Sequence, residues 1–179
     1  MTIAYLTPEA RARGRIDELL TAAGWVVQSA NAVNLAAGRG VAVREFVLKP
    51  PHGRADYLLF VDRQAVGVLE AKKEGETLTG VAWQTAKYLD GLPDEIPTAL
   101  EGALPFAYQS TGVETRFTNT LDPAHASRWV AGLAPWIEDA ARLVALDTRP
   151  LAAQPAPAAL GLELAAAVHH ERRERLFIS

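Results

Sequence analysis

Cysteine is absent from this 179-residue chain, so neither a disulfide nor a thiolate zinc site can form. No apolar run approaches the roughly 20 residues that span a bilayer. The opening MTIAYLTPEA lacks the basic-then-apolar pattern of a leader. Both absences predict a cytoplasmic protein with no membrane partner. His52, His125, His169 and His170 are dispersed and predict no His-built metal centre. There is no GxxxxGK[ST] phosphate loop, hence no ATP site in the chain. A net charge of −3 argues against nonspecific coating of nucleic acid.

What is present is an ordinary globular composition, 49% hydrophobic and 22% charged, in a 19.3 kDa chain that suffices for one domain and an appendage. Charge is uneven. Residues 1–73 carry ten Lys and Arg against seven Asp and Glu, a balance of +3, which leaves −6 for the remainder. A basic half of this kind is compatible with DNA phosphates.

The chain is organised around RADYLLFVDRQAVGVLEAKK, residues 54–73. Two short runs rich in Val, Leu, Tyr and Phe flank the polar Asp62-Arg63-Gln64, which predicts a β-hairpin. Strand side chains alternate, so Glu70 and Lys72 point one way and Ala71 the other. With a three-residue loop, 62–64, Asp56 falls opposite Glu70; a two-residue loop turns the acid to the wrong face. A functional pair therefore requires an odd loop or a bulge. Carboxylates on facing strands, with Cβ atoms roughly 4.5 to 5.5 Å apart, repel each other unless a cation lies between them. Oxygen ligands of this kind suit Mg²⁺ or Mn²⁺. The competing reading makes Asp56, Glu70 and Lys72 the solvent face of a plain hairpin. Against it, Asp and Glu form strands poorly and here interrupt apolar runs.

An Asp followed after about a dozen residues by Glu-x-Lys resembles the signature of the PD-(D/E)xK nucleases, although Ala55 stands where that motif has Pro. The surrounding words are more specific: IDELLTAAGW (16–25), GRGVAVREF (38–46), GRADYLLFVD (53–62), LEAKKEG (69–75), WQTAKYLDGLP (83–93) and ETRFTN (114–119). Together, over about residues 5–128, they resemble the N-terminal nuclease domain of type I restriction enzyme R subunits and related helicase-fused proteins. The family's Gln-x-x-x-Tyr motif is matched by Gln84 and Tyr88.

The resemblance implies an α/β restriction-endonuclease-like fold, a central mixed sheet flanked by helices. It also implies Mg²⁺-dependent DNA cleavage, with Mn²⁺ as a substitute. Asp56, Glu70 and the Ala71 backbone carbonyl would hold the metal, and Lys72 would orient the attacking water and stabilise charge at phosphorus. Gln84 and Tyr88, on one helical face, would contact the DNA strand or support the carboxylates; the alternative reading packs Tyr88 in the core and leaves Gln84 exposed. An acidic residue on the first helix often supports such sites. Glu9 is the best match, with Glu18 second; the alternative for Glu9 is a surface charge favouring the helix dipole. Sequence recognition would belong to methylation and specificity subunits, and DNA delivery to a helicase motor.

In chain order, a helix is expected from Pro8 to Ala23, N-capped by Thr7 and stopped by Gly24. Its buried stripe is Ile16, Leu19, Leu20 and Ala23, with Arg11, Arg13 and Arg15 opposite. Trp25 to Gln28 and Val41 to Lys49 predict strands. In the second, Val41, Val43 and Val47 share one face, Arg44 and Phe46 the other, and Glu45 falls anomalously on the Val face. A turn follows at residues 49–53, where His52 is expected to be a loop residue; Arg44 and Arg54 are candidate phosphate contacts. A helix is expected from Thr79 to Leu89, and strands from Phe106 to Ser110 and Glu114 to Thr118. Beyond Arg128 the resemblance ends. Residues 129–179 are expected to be an Ala/Pro-rich tail, mobile or a truncated linker, with helix candidates Pro135–Leu146 and Leu162–Phe177. Two other readings stand beside the nuclease: a non-cleaving DNA-binding or subunit-assembly module, and an autonomous repair nuclease of the same fold.

Overall fold

The computed structural model describes residues 7–78, 84–100, 103–121, 127–130 and 133. Its elements are α1 (Pro8–Ala22), β1 (Val26–Ser29), β2 (Gly40–Val47), β3 (Arg54–Val61), β4 (Gln64–Ala71), α2 (Gln84–Asp90), β5 (Phe106–Ser110), β6 (Thr115–Asn119) and β7 (Arg128–Val130). The strands form one mixed sheet in sequence order. β1 and β2 are parallel, as are β4 and β5, and the other neighbours are antiparallel. β7 was not anticipated; it extends the sheet to Val130. The expected tail helices lie outside the described residues, as does the start of the helix expected at Thr79.

Alternation along the strands divides the core into two layers. On one face Ile16 and Leu20 of α1 pack with Ala42, Tyr57, Leu59, Leu69, Tyr108 and Phe117. On the other, Tyr88 of α2 and Leu92 pack with Val41, Val43, Leu58, Phe60, Val68 and Ala107. Helices therefore lie on both faces of the sheet, an α/β architecture compatible with a restriction-endonuclease-like fold. Full burial of each such Leu, Val or Phe contributes about 1.5–3 kcal/mol.

α1 follows from its ends. Thr7 Oγ1 accepts from Ala10 N–H at 3.2 Å, Pro8 occupies the first turn, and Gly24, at φ +89°, ends the helix. Its most buried residues are Ala12, Ile16 and Leu20, with Leu19 and Ala23 partly buried. Arg13 is not opposite this stripe as expected. It precedes Ile16 by three and Leu20 by seven residues, the spacing of one helical face, so its side chain leans over the sheet.

The β3–β4 hairpin departs from the simple expectation. Its loop is two residues, Asp62 and Arg63, both with positive φ (47° and 70°), as a type I′ turn requires. Gln64 already belongs to β4. A plain two-residue hairpin would set Asp56 opposite Leu69. Instead Phe60 pairs with Ala65 but Leu59 with Gly67, so Val66 is the extra residue of a β-bulge. From there Tyr57 pairs with Leu69, the last pair of this ladder, in the register that a three-residue loop would have given.

A second irregularity corrects the β2 pattern. Glu45 has φ +50° inside the strand, which reverses the alternation. Phe46 moves to the face of Val41 and Val43, its ring 6.1 Å from that of Phe60. Val47 is left exposed. Glu45 leaves the apolar face on which simple alternation had placed it.

Candidate active site

Past Tyr57 and Leu69 the two central strands part. β4 continues beside β5, where Glu70 registers with Gln109 and Ala71 with Ser110. The Ala71 N–H is taken by a side chain from β3: Asp56 Oδ2 accepts it at 3.0 Å. A short carboxylate thus fills the fork, which gives an acid at the start of an apolar strand a physical reason. Asp56 Oδ1 accepts from Arg13 Nη2 at 3.2 Å.

Glu70 lies two residues beyond Val68 and extends that face of β4. Its side chain is 14% exposed, and its Oε1 accepts from Lys72 Nζ at 2.8 Å. Oε2 accepts from Gln109 Nε2 at 3.3 Å. Lys72 is raised in pKa chiefly by its hydrogen bond to Glu70, against desolvation, with the charges of Glu70, Glu76 and Asp56 adding to the rise. It remains an ammonium at neutral pH. Tyr88 is pushed up to about 12 by burial and then by the charges of Glu70 and Asp56. Both carboxylates therefore act on the same two groups.

The remaining expected residues are placed differently. Gln84 opens α2, but its side chain lies outside the described residues. Tyr88 is 7% exposed, which removes it from the surface and puts it in the layer beneath the carboxylates. Glu9 binds Lys73, with Oε1 at 2.9 Å from Nζ, and that hydrogen bond lowers its pKa. No contact of Glu9 with Asp56 or Glu70 occurs among the described residues. Glu18 pairs with Arg15 at 2.8 Å on the outer side of α1. His52 sits in the turn after β2, its N–H donating to the Lys49 carbonyl.

Three residues of the site were not singled out from sequence as parts of it. Arg13 spans two strands, donating from Nη1 to Glu45 Oε1 at 3.0 Å as well as to Asp56. Glu45 holds a left-handed backbone at a cost of about 1–3 kcal/mol for a non-glycine residue. Gln109 is 3% exposed, and its Oε1 has no hydrogen-bond partner among the described residues. A buried acceptor left open costs about 1–3 kcal/mol. The signals existed: Arg13 shares its helical face with Ile16, and Gln109 is a polar break in the strand FAYQS.

Among the described residues no three His, Cys, Asp or Glu side chains are grouped to hold a metal ion. What the site offers a cation is the Asp56–Glu70 pair. That donor set fits a hydrated Mg²⁺-type ion, which takes one or two protein carboxylates and keeps its waters, better than a fully dehydrated cage.

A family model described as the type I restriction enzyme EcoKI endonuclease subunit second domain matches residues 25–114, just over half of the chain. The match runs from the start of β1 past β5 and includes Asp56, Glu70, Lys72, Gln84 and Tyr88. No curated protein and no solved structure matches. No described helix is long and apolar enough to cross a membrane.

Proposed function

The chain belongs to the family of the EcoKI type I restriction enzyme endonuclease subunit second domain, and on that basis we propose that it is a Mg²⁺-dependent DNA endonuclease domain. It would hydrolyse phosphodiester bonds without sequence recognition of its own. The observation that supports this reading is the fork: Asp56 accepts from the Ala71 N–H at 3.0 Å, and the neighbouring Glu70 is bound by Lys72 at 2.8 Å.

Asp56, Glu70 and the Ala71 carbonyl would hold Mg²⁺, with Mn²⁺ as a substitute. When bound, the ion supplies positive charge at the scissile phosphate and makes a water easier to deprotonate. The protein's own groups do the rest. Gln109 fixes the orientation of Glu70. Lys72, kept protonated by Glu70, donates to the attacking water and to the oxygens of phosphorus as charge builds there. The water's oxygen bonds to phosphorus in line with the breaking P–O bond; its proton leaves to solvent, and the displaced sugar oxygen takes a proton from solvent to leave as a hydroxyl. Family membership supports work beside DNA-recognition and methylation subunits and a helicase motor, which would choose and deliver the DNA.

The test is Mg²⁺- and Mn²⁺-dependent nicking of supercoiled and single-stranded DNA, beside folded Glu70→Ala and Lys72→Ala variants. Cutting by the wild type that vanishes in both supports the assignment. A wild type that binds DNA or partner subunits and cuts nothing moves the reading to a non-cleaving assembly module.

A further inference from the structure

On the α1 side of Asp56 lies a cleft of about 450 Å³ whose lining includes Arg13, Ser29, Arg44, Glu45, Arg54 and Asp56. Three guanidinium groups from α1, β2 and β3 thus meet in one concave surface that has the Asp56 carboxylate in its wall. We propose that this cleft seats the phosphate backbone of the strand being cut, anchored by Arg13, Arg44 and Arg54, with Glu45 as the positioning residue. The proposal rests on the DNA-hydrolysis reading and adds the path by which the strand reaches the carboxylates.

Each arginine is pre-set by an acid. Arg44 donates to Asp17 Oδ2 at 3.0 Å and to Ser29 Oγ at 3.1 Å. Asp17 itself is fixed by the Tyr57 hydroxyl at 2.9 Å. Glu45 accepts from Arg13 with Oε1 at 3.0 Å and lies 3.6 Å from Arg54 with Oε2. A guanidinium carries five N–H donors, so these contacts set each plane and leave donors for phosphate oxygens, which a rigid fork suits. The side chains remain reachable, at 43%, 40% and 64% exposure for Arg13, Arg44 and Arg54.

Glu45 supplies an independent observation. Of the three non-glycine residues with positive φ among the described residues, Asp62 and Arg63 make the hairpin turn, whereas Glu45 sits within a strand. Its backbone turns its carboxylate out of the β2 apolar face and between two arginines. The cleft's lining carries three arginines against Glu45 and Asp56. A cation at Asp56 would offset that carboxylate and leave the cleft positive.

The experiment is anisotropy of a labelled duplex with the whole chain, Ca²⁺ replacing Mg²⁺, over a series of salt concentrations. Arg13→Gln and Arg54→Ala are each expected to weaken binding about tenfold. Each should also reduce the slope of log K against log salt by about 0.9, the loss of one phosphate contact. Arg44→Lys keeps the charge and tests the fork geometry where an alanine would strand Asp17; weaker binding is expected. Glu45→Gln separates positioning from charge. Removing a negative group tightens DNA binding if only charge matters, and loosens it if Glu45 aims the arginines. Arg63→Ala, on the hairpin turn, should change nothing. Wild-type affinity and slope in the arginine variants, with Glu70→Ala still abolishing cutting, would overturn the cleft and leave the nuclease reading standing. Tighter binding by Glu45→Gln overturns the positioning role. A wild type that binds no DNA overturns both proposals.

Discussion

β4 and β5 meet at a point where no side chain fits. A Cβ on Gly67 would overlap the Phe106 carbonyl oxygen and stand 2.8 Å from the Phe106 Cβ. Carbon atoms settle at about 3.5–4.0 Å, so Gly67→Ala must push the strands apart by about 1 Å. Gly67 and Phe106 are the first pair of the parallel ladder, and such a shift takes the adjacent N–H···O bonds beyond useful length. Overpacking of this kind costs about 1–3 kcal/mol, and each weakened backbone bond adds about 1 kcal/mol. We expect a loss of about 3 kcal/mol, seen as a fall in Tm of about 6–12 °C by circular dichroism. Glu70 and Gln109 pair three steps along the same ladder, so nicking should fall too at temperatures where the variant is folded. Gly14→Ala is the control. It has nothing within 4 Å of the new Cβ and should be neutral or stabilising by up to about 1 kcal/mol. A Gly67→Ala melt within about 2 °C of wild type would refute the close approach and the β4–β5 register built on it.

Gln109→Leu removes the donor to Glu70 and the open buried Oε1 together. Nicking under single-turnover conditions should fall about 10–100-fold with Tm little changed, and a large drop in Tm would make Gln109 structural instead. Tyr57→Phe deletes the 2.9 Å bond to Asp17 and should cost about 1.5–3 kcal/mol in urea unfolding, as for a hydrogen bond to a charged group; an unchanged midpoint contradicts that. Tyr88, raised to about 12 from 10.0, keeps its proton in the folded chain after the unfolded chain has lost it, so stability is whole below pH 10.0 and falls as pH climbs toward about 12. Lys72, also raised, contributes stability fully present below 10.5 and lost as pH passes its folded value. Urea midpoints should therefore hold near neutral pH and decline in strong alkali; Tyr88→Phe should soften the first part of that decline, and an equally steep fall in the variant rules out Tyr88 as its source.

Much of this was legible because local rules and the fold agree. Thr7, Pro8 and Gly24 mark both ends of α1, and the apolar runs either side of residues 62–64 make a hairpin whichever way the loop closes. Loop length was less legible. Asp62-Arg63 has no glycine, yet both residues adopt positive φ, because the core faces of β3 and β4 hold the register and the turn conforms to them. The requirement for a bulge could be reasoned from the need to align Asp56 with Glu70, but its position at Val66 could not, since Ala65, Val66 and Val68 are all apolar and all buried. Glu45 illustrates a harder limit. A period-2 reading assumes every strand residue is extended, and one left-handed residue moves Phe46 and Val47 to the faces opposite their expected ones. Arg13 escaped because charge was taken as a mark of solvent, although a long side chain at the edge of a buried stripe can reach a carboxylate on the sheet below.

Charge balance explains why the fork pairs its acids with cations from separate elements. Asp56 and Glu70 carry two negative charges side by side, while Arg13 from α1 and Lys72 from the end of β4 supply two positive ones. These four groups sum to zero, which lets the fork exist without an ion and without the repulsion that two facing carboxylates would otherwise impose. A divalent cation bound there would carry the set to +2. A phosphodiester brings one negative charge, leaving +1, and the oxygens around phosphorus reach a second negative charge only as the attacking water adds and gives up its proton. On the proposed function, the site is then neutral with the transition state and not with the substrate, which is the differential binding that accelerates a reaction. Removing either cation should disturb that balance in distinguishable ways. Lys72→Ala leaves Glu70 more negative and should tighten Mn²⁺ binding while abolishing nicking. Arg13→Gln should tighten Mn²⁺ at Asp56 while weakening DNA. Mn²⁺ affinity read by electron paramagnetic resonance, independent of cutting, checks both; weaker Mn²⁺ binding in either variant would mean that the cation holds its carboxylate in place and does not compete for it.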